Sequence, residues 1–153
     1  MPDYAIAHAL HVLAVILWIG GVGFVTLVVI PSLASTSPGE RMRVFHRIEG
    51  RFAPQARIWV LLAGASGLWM CWRADLWSRF ADARFWWMHA MIVVWAVFAL
   101  MLFVLEPLVL HRRMAASPSP ERDFARLRTM HRVLLLLSLI AAGGAAAGSH
   151  GLY

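Results

Sequence analysis

The sequence predicts an all-α protein, a four-helix transmembrane bundle running up-down-up-down with both termini on the outer side. Three observations predict it: four long apolar runs, a scarcity of charge, and arginines gathered in alternate connections. Of the 153 residues, 61% are hydrophobic and 14% charged, with a mean hydropathy of +0.68. A soluble domain carries roughly a quarter charged residues. In lipid every backbone N–H and C=O must be satisfied within its own segment, so the runs are helices.

The first run, Tyr4 to Ile30, ends at Pro31 and the polar stretch that follows to Gly39. It is too long for a signal-peptide core and lacks a basic start, so it is expected to be retained. A second run covers Ile58 to Trp72 and extends back toward Phe52. The third, Phe85 to Leu110, is closed by His111-Arg112-Arg113. The fourth, Val133 to Gly148, continues a helix expected to begin near Pro120 with Ser119 as N-cap. A single integral membrane domain over 1–153 follows, with helices at about 4–31, 53–73, 85–111 and 121–149. The connections are short enough for antiparallel neighbours.

All 14 basic residues are arginines. The first connection carries Arg41, Arg43, Arg47, Arg51 and Arg57, and the third Arg112, Arg113, Arg122, Arg126, Arg128 and Arg132. The second has Arg73, Arg79 and Arg84, diluted by Asp75 and Asp82. The positive-inside rule therefore places connections one and three in the cytoplasm and both termini outside, as in a multi-pass protein of a bacterial inner membrane. Trp69, Trp72, Trp77, Trp86 and Trp87 flank the outer connection as an interfacial belt would. The net charge of +6 fits an anionic lipid surface, and no module for nucleic acid is present. The lipid bilayer is the first expected partner, with a redox partner and a second copy of the chain as further ones. Runs of small residues around Gly20-Gly21, Gly64 to Gly67 and Ala141 to Gly148 mark close helix packing.

Histidine is the chemically informative residue. His8, His11, His89 and His150 fall near outer helix ends, while His46, His111 and His131 fall at the cytoplasmic boundary, where they read as interfacial groups. Ionisable groups within membrane segments usually face a bundle interior, which makes the outer four site candidates. His8 and His11 are three residues apart on one helix face, and Trp18 lies seven beyond His11 on nearly the same face. His89 and Met91 are two residues apart and point about 200° from one another, so only one can face the core. With Met70, Cys71 and Met88, the outer histidines form a His/Met/Cys neighbourhood suited to copper; a His–His or His–Met pair on facing helices suits haem b. The lone Cys71 excludes an internal disulfide and a CxxC motif. Glu106, before Pro107, is the one carboxylate within an apolar run, and Arg57 or Arg132 is its expected ion-pair partner. No Ser/His/Asp set, paired carboxylates or Gly-rich phosphate loop supports hydrolytic or nucleotide chemistry.

The first helix, HALHVLAVILWIGG, with His11, Trp18, Gly20 and Gly21, resembles the opening helix of CopD-like copper-resistance membrane proteins and of HemJ-type protoporphyrinogen oxidases. The likeness extends to Arg51-Phe52, to SGLWM at Ser66 to Met70 and to WWMHAM at Trp86 to Met91. It implies an oxidoreductase-type membrane protein with haem b on His11. The HemJ-type lysine of the third helix falls on Met91 here, so that His89 or Met91 would complete the axial pair. The CopD likeness implies copper held by His8, His11, His89 and the nearby sulfur side chains.

Overall fold

A computed structural model describes residues 2–110 and 119–151. Among them every regular element is helical, and no strand occurs. Helix α1 spans Pro2–Phe24 and runs on through a π-helical stretch, Val25–Val29, and a last turn to Ser35. Helix α2 spans Pro38–Arg73, helix α3 Trp86–Leu100 with a π-helical continuation Met101–Leu110, and helix α4 Pro120–Ser149. Short 3₁₀ turns, Leu76–Ala81 and Ala83–Phe85, join α2 to α3. Three stretches are long and apolar enough to cross a bilayer: Pro2–Ser35, Ala83–Glu106 and Glu121–Ser149. Helix α2 is not among them. It begins at Pro38, well before the expected start near Phe52, because its first part is an amphipathic helix rather than an apolar one.

The first π-helical stretch has a proline to explain it. Proline lacks an N–H, and its ring presses on the carbonyl four residues earlier. For Pro31 that carbonyl belongs to Leu27, within the widened turn. Thr26 adds to the first by donating its hydroxyl to the Val22 carbonyl at 2.7 Å.

Contacts between α1 and α2 climb one helix while descending the other. Arg73 donates to Asp3 at 2.9 Å, His11 meets Ala63, and Gly21 lies against the Phe52 ring. The α2–α3 contacts do likewise: the Trp95 indole donates to the Val60 carbonyl at 2.8 Å, and Arg57 reaches Leu102 and Glu106. Ala14, Trp18, Val22, Val60, Ala63, Val94, Phe98, Leu134, Leu135 and Ala141 form one buried core drawn from all four helices. A second core, nearer the arginine-rich end, gathers Val25, Val29, Ile30, Leu33, Phe45, Phe124 and Leu127. Many large apolar side chains face outward, among them Ile16, Leu27, Leu68, Ile92 and Leu136. Such a surface is at home in lipid.

Glycines seat aromatic rings between helices. A Cβ on Gly64 would lie 2.6 Å from the Trp95 indole nitrogen, and one on Gly144 2.6 Å from Trp86. Gly148 is likewise overlain by Trp87.

The end of α1 is closed by a side chain from α2. Arg41 donates to the carbonyls of Leu33, Ala34 and Thr36 at 2.9, 2.8 and 2.8 Å, and its guanidinium carbon lies 5.0 Å from the Phe124 ring centroid. The Leu33 carbonyl also accepts from the Thr36 N–H at 3.1 Å and the Thr36 hydroxyl at 2.7 Å, so Arg41 and Thr36 together close the helix end. Arg41→Met, which keeps the apolar stem, is therefore expected to cost about 2 kcal/mol. Thermal unfolding in detergent checks it, and a shift no larger than that of Arg43→Met, an exposed neighbour, would refute the capping role.

Candidate functional site

The outer histidines divide sharply by environment. His11 is half-buried, and its Nδ1 lies 2.9 Å from the Ala63 carbonyl oxygen and 3.2 Å from Ser66 Oγ. The Ser66 hydroxyl donates to the Leu62 carbonyl at 2.6 Å, so its proton is engaged there. A carbonyl can only accept, hence Nδ1 carries the imidazole proton and Nε2 the free lone pair. Gly67 supplies room for the ring, since a Cβ there would come within 3.2 Å of His11 Cε1. A ring fixed by a carbonyl on one nitrogen, with the other left as a donor of electrons, is the arrangement of a metal- or haem-ligating histidine.

Its expected companions lie elsewhere. His8 is exposed, its ring stacked 6.5 Å from Tyr4. His150 is exposed at the end of α4, with Nδ1 2.8 Å from the Ala146 carbonyl. His89 is exposed and stands edge-on to Phe80 at 5.4 Å. Met91 instead packs on the buried core shared by all four helices. Helix rotation thus decides between two residues that spacing alone left open: Met91 turns inward and His89 outward. Met70 and Met88 are buried, and Cys71 is half-buried. Among the described residues, no three His, Cys, Asp or Glu side chains group to hold a metal ion.

The Trp18 ring meets Phe98 edge-to-face, with centroids 4.9 Å apart. His11 is seven residues before Trp18, and Met91 seven before Phe98. Seven residues are two turns with a drift of about 20°, and α1 and α3 run the same way, both opposite to α2. His11 and Met91 each fall two turns before the Trp18–Phe98 contact on their own helices. The core near this level is built of small side chains, Ala14 and Ala63 with Ala90 partly buried. Trp18 is 3% exposed, and its indole N–H has no protein partner. On this placement Met91, on the core side of its helix, and not the exposed His89, is the candidate to accompany His11 in holding a haem.

At the arginine-rich end, Arg57 is the partner of Glu106, at 3.3 Å, and its Nε donates to the Leu102 carbonyl at 3.0 Å. His131 donates from Nδ1 to the Leu127 carbonyl at 3.0 Å and stands edge-on to Phe45. His46 lies 3.5 Å from Glu49. His111 falls outside the described residues. Glu49 carries no sequence signal beyond its position three residues after His46, and only the neighbouring helix reveals its burial.

These features define an all-α protein with three helices of membrane-crossing length and an oriented histidine near one end. No protein-family model matches the chain, and no curated protein or solved structure is similar to it.

Proposed function

We propose that the chain is an integral membrane four-helix bundle, up-down-up-down, that binds haem b near its outer end and takes part in electron transfer. The observation that carries this reading is the His11 imidazole, held by the Ala63 carbonyl with Nε2 left as a lone-pair donor. Met91 would be the second residue to hold the haem, supported by its place on the core side of α3. The orientation keeps the arginine-rich connections in the cytoplasm and both termini outside, supported by the positive-inside bias of a bacterial inner membrane.

Bound haem would supply one-electron chemistry. The chain's own residues set the conditions for it. The Ala63 carbonyl fixes the tautomer and rotation of His11. Gly67 lets the ring approach α2. The surrounding apolar core keeps water from the ligands. The HemJ-type lysine position is Met91, so protoporphyrinogen oxidation is not included in the proposal. Copper binding lacks a comparable support, since His8, His89 and His150 are each exposed and engaged separately.

The test is the oxidised and dithionite-reduced absorption spectrum of the detergent-purified protein, with iron and copper measured on the same sample. Stoichiometric iron and a Soret band are expected, lost in His11→Ala. In Met91→Leu the haem is retained with an altered ligand-field spectrum, whereas His89→Ala leaves the spectrum unchanged. A haem spectrum indifferent to His11→Ala, or no haem after expression in haem-replete cells, refutes the proposal.

A further inference from the structure

The net charge of the chain is unevenly placed. At the outer end Arg73, Arg79 and Arg84 are matched in number by Asp3, Asp75 and Asp82, so the excess of +6 arises from the rest of the chain. All eight side-chain carboxylates lie among the described residues, and the stretch 107–118 contains none. Arg57 and Arg43 have carboxylate partners, Glu106 and Glu40, at 3.3 and 3.4 Å. Arg47 and Arg51 are exposed, and neither guanidinium has an ion pair or hydrogen bond among the described residues.

The pattern along α2 identifies what these arginines face. One side of the helix is buried in the bundle through Phe45, Ala56, Val60 and Ala63. The opposite side carries Arg43, Arg47 and Arg51, then, past the exposed Pro54, the side chains of Ile58, Leu61 and Leu68, each more than half exposed. Steps of three and four residues, or seven, hold one helix face. The outward stripe therefore changes from guanidinium to hydrocarbon without leaving that face. Ile58 to Leu68 rises about 15 Å, the depth of one leaflet of a hydrocarbon core about 30 Å thick. Arg51 stands about 10 Å before Ile58 along the axis, where the polar headgroup layer lies beyond the hydrocarbon. A soluble anion would need the arginines alone, and an acidic protein would find no use for the aliphatic continuation. A molecule with an anionic head and an acyl chain matches both.

We infer that the outward stripe of α2 is a binding face for an anionic phospholipid of the leaflet at the arginine-rich end. Arg47 and Arg51 receive the phosphate, and Ile58, Leu61 and Leu68 lie along the acyl chain. Arg43 shares its charge with Glu40 and adds less. A guanidinium suits the task because its planar fork of N–H donors matches phosphate oxygens and its charge does not titrate away. The consequence falls on α2 itself, which is not among the helices long and apolar enough to cross a bilayer unaided. A lipid held across the Arg51–Ile58 step fixes the depth of that helix where its own hydropathy does not. The inference rests on the membrane placement of the proposed function and is independent of haem.

Native mass spectrometry of the full chain in detergent, titrated with dioleoyl phosphatidylglycerol or dioleoyl phosphatidylcholine, counts bound lipid directly. Phosphatidylglycerol is expected to bind more tightly. In Arg47→Gln/Arg51→Gln its affinity falls roughly thirtyfold, about fivefold for each arginine near an anionic surface, while that for phosphatidylcholine is unchanged. Arg79→Gln/Arg84→Gln, which removes the same charge at the outer end, leaves the preference in place. Dihexanoyl phosphatidylglycerol, with the same head and little chain, binds more weakly than the dioleoyl lipid, and inorganic phosphate does not displace that lipid. Equal binding of the two dioleoyl lipids overturns the inference, as do equal losses in the two double variants, which would reduce the effect to net charge. Displacement by inorganic phosphate, or equal binding of the short-chain lipid, would make the site one for a free anion. Displacement by a glutamate-rich peptide would make it one for an acidic protein. Both substituted positions are exposed, so helical circular dichroism of the variant is expected unchanged, and that control separates lost binding from lost fold. A lipid preference absent beside an intact Soret band counts against this inference alone, and a preference present without haem counts against the haem reading alone.

Discussion

Gly64→Leu is expected to destabilise the protein by about 3 kcal/mol or to prevent its assembly, whereas Gly20→Leu is expected to be nearly neutral. A Cβ at Gly64 already meets the Trp95 ring at 2.6 and 2.7 Å, and that ring is anchored by its hydrogen bond to the Val60 carbonyl. A leucine must displace the indole, break that bond and separate α2 from α3. Nothing lies within 4 Å of a Cβ built on Gly20, which faces outward. The two Gly-Gly pairs should behave asymmetrically for the same reason. Gly21 faces Phe52 and Gly144 faces Trp86 and Trp87, while Gly20 and Gly143 face open space. Alanine at Gly20 or Gly143 should stabilise slightly, since glycine is a poorer helix former by up to about 1 kcal/mol. Alanine at Gly144 should cost stability, because Trp86 must give way. Equal responses of Gly143→Ala and Gly144→Ala in thermal unfolding would show that the rings do not sit where described.

This asymmetry also marks the limit of what the sequence discloses. Runs of glycine and alanine announce close packing, but which member of a pair meets a ring depends on helix rotation, a tertiary property. The apolar lengths of α1, α3 and α4 were legible because crossing a bilayer is a one-dimensional requirement. The start of α2 was not: Pro38 to Arg51 is charged enough to resemble a loop. Its helical signal, Met42, Phe45, Ile48 and Phe52 at three- and four-residue spacing, is amphipathic rather than apolar. The first π-helical stretch follows from Pro31, yet proline alone also permits a kink or a stop. His11 could be singled out from its place in the first run. Its carbonyl partner, Ala63, is 52 residues away and has no sequence signature. The choice between His89 and Met91 needed one angle, the rotation of α3, and Glu49 needed the approach of Glu106 from another helix.

Glu49 makes stability depend on pH in a direction opposite to that of an ordinary salt-bridged carboxylate. Its carboxyl is raised from 4.5 to about 7 by burial and by the charge of Glu106. Below about pH 4.5 the folded and unfolded chains both hold the proton, and this group contributes no difference. As pH rises from there toward 7, the unfolded chain releases the proton while the folded chain keeps it. In that window the folded state binds more protons, so its stability falls with rising pH. Above about 7 both states are ionised and the loss is complete, on the order of 3 kcal/mol at most. The expected result is a thermal midpoint, measured in detergent at fixed scan rate, that declines from about pH 5 to about pH 7.5. Glu49→Gln should flatten that decline and raise the midpoint at the alkaline end, since a neutral amide never has to ionise beside Glu106. Other groups titrate over the same range, so the difference between wild type and variant is the quantity that decides. A difference that grows toward acid would mean that Glu49 is stabilised as the carboxylate, and would refute this prediction.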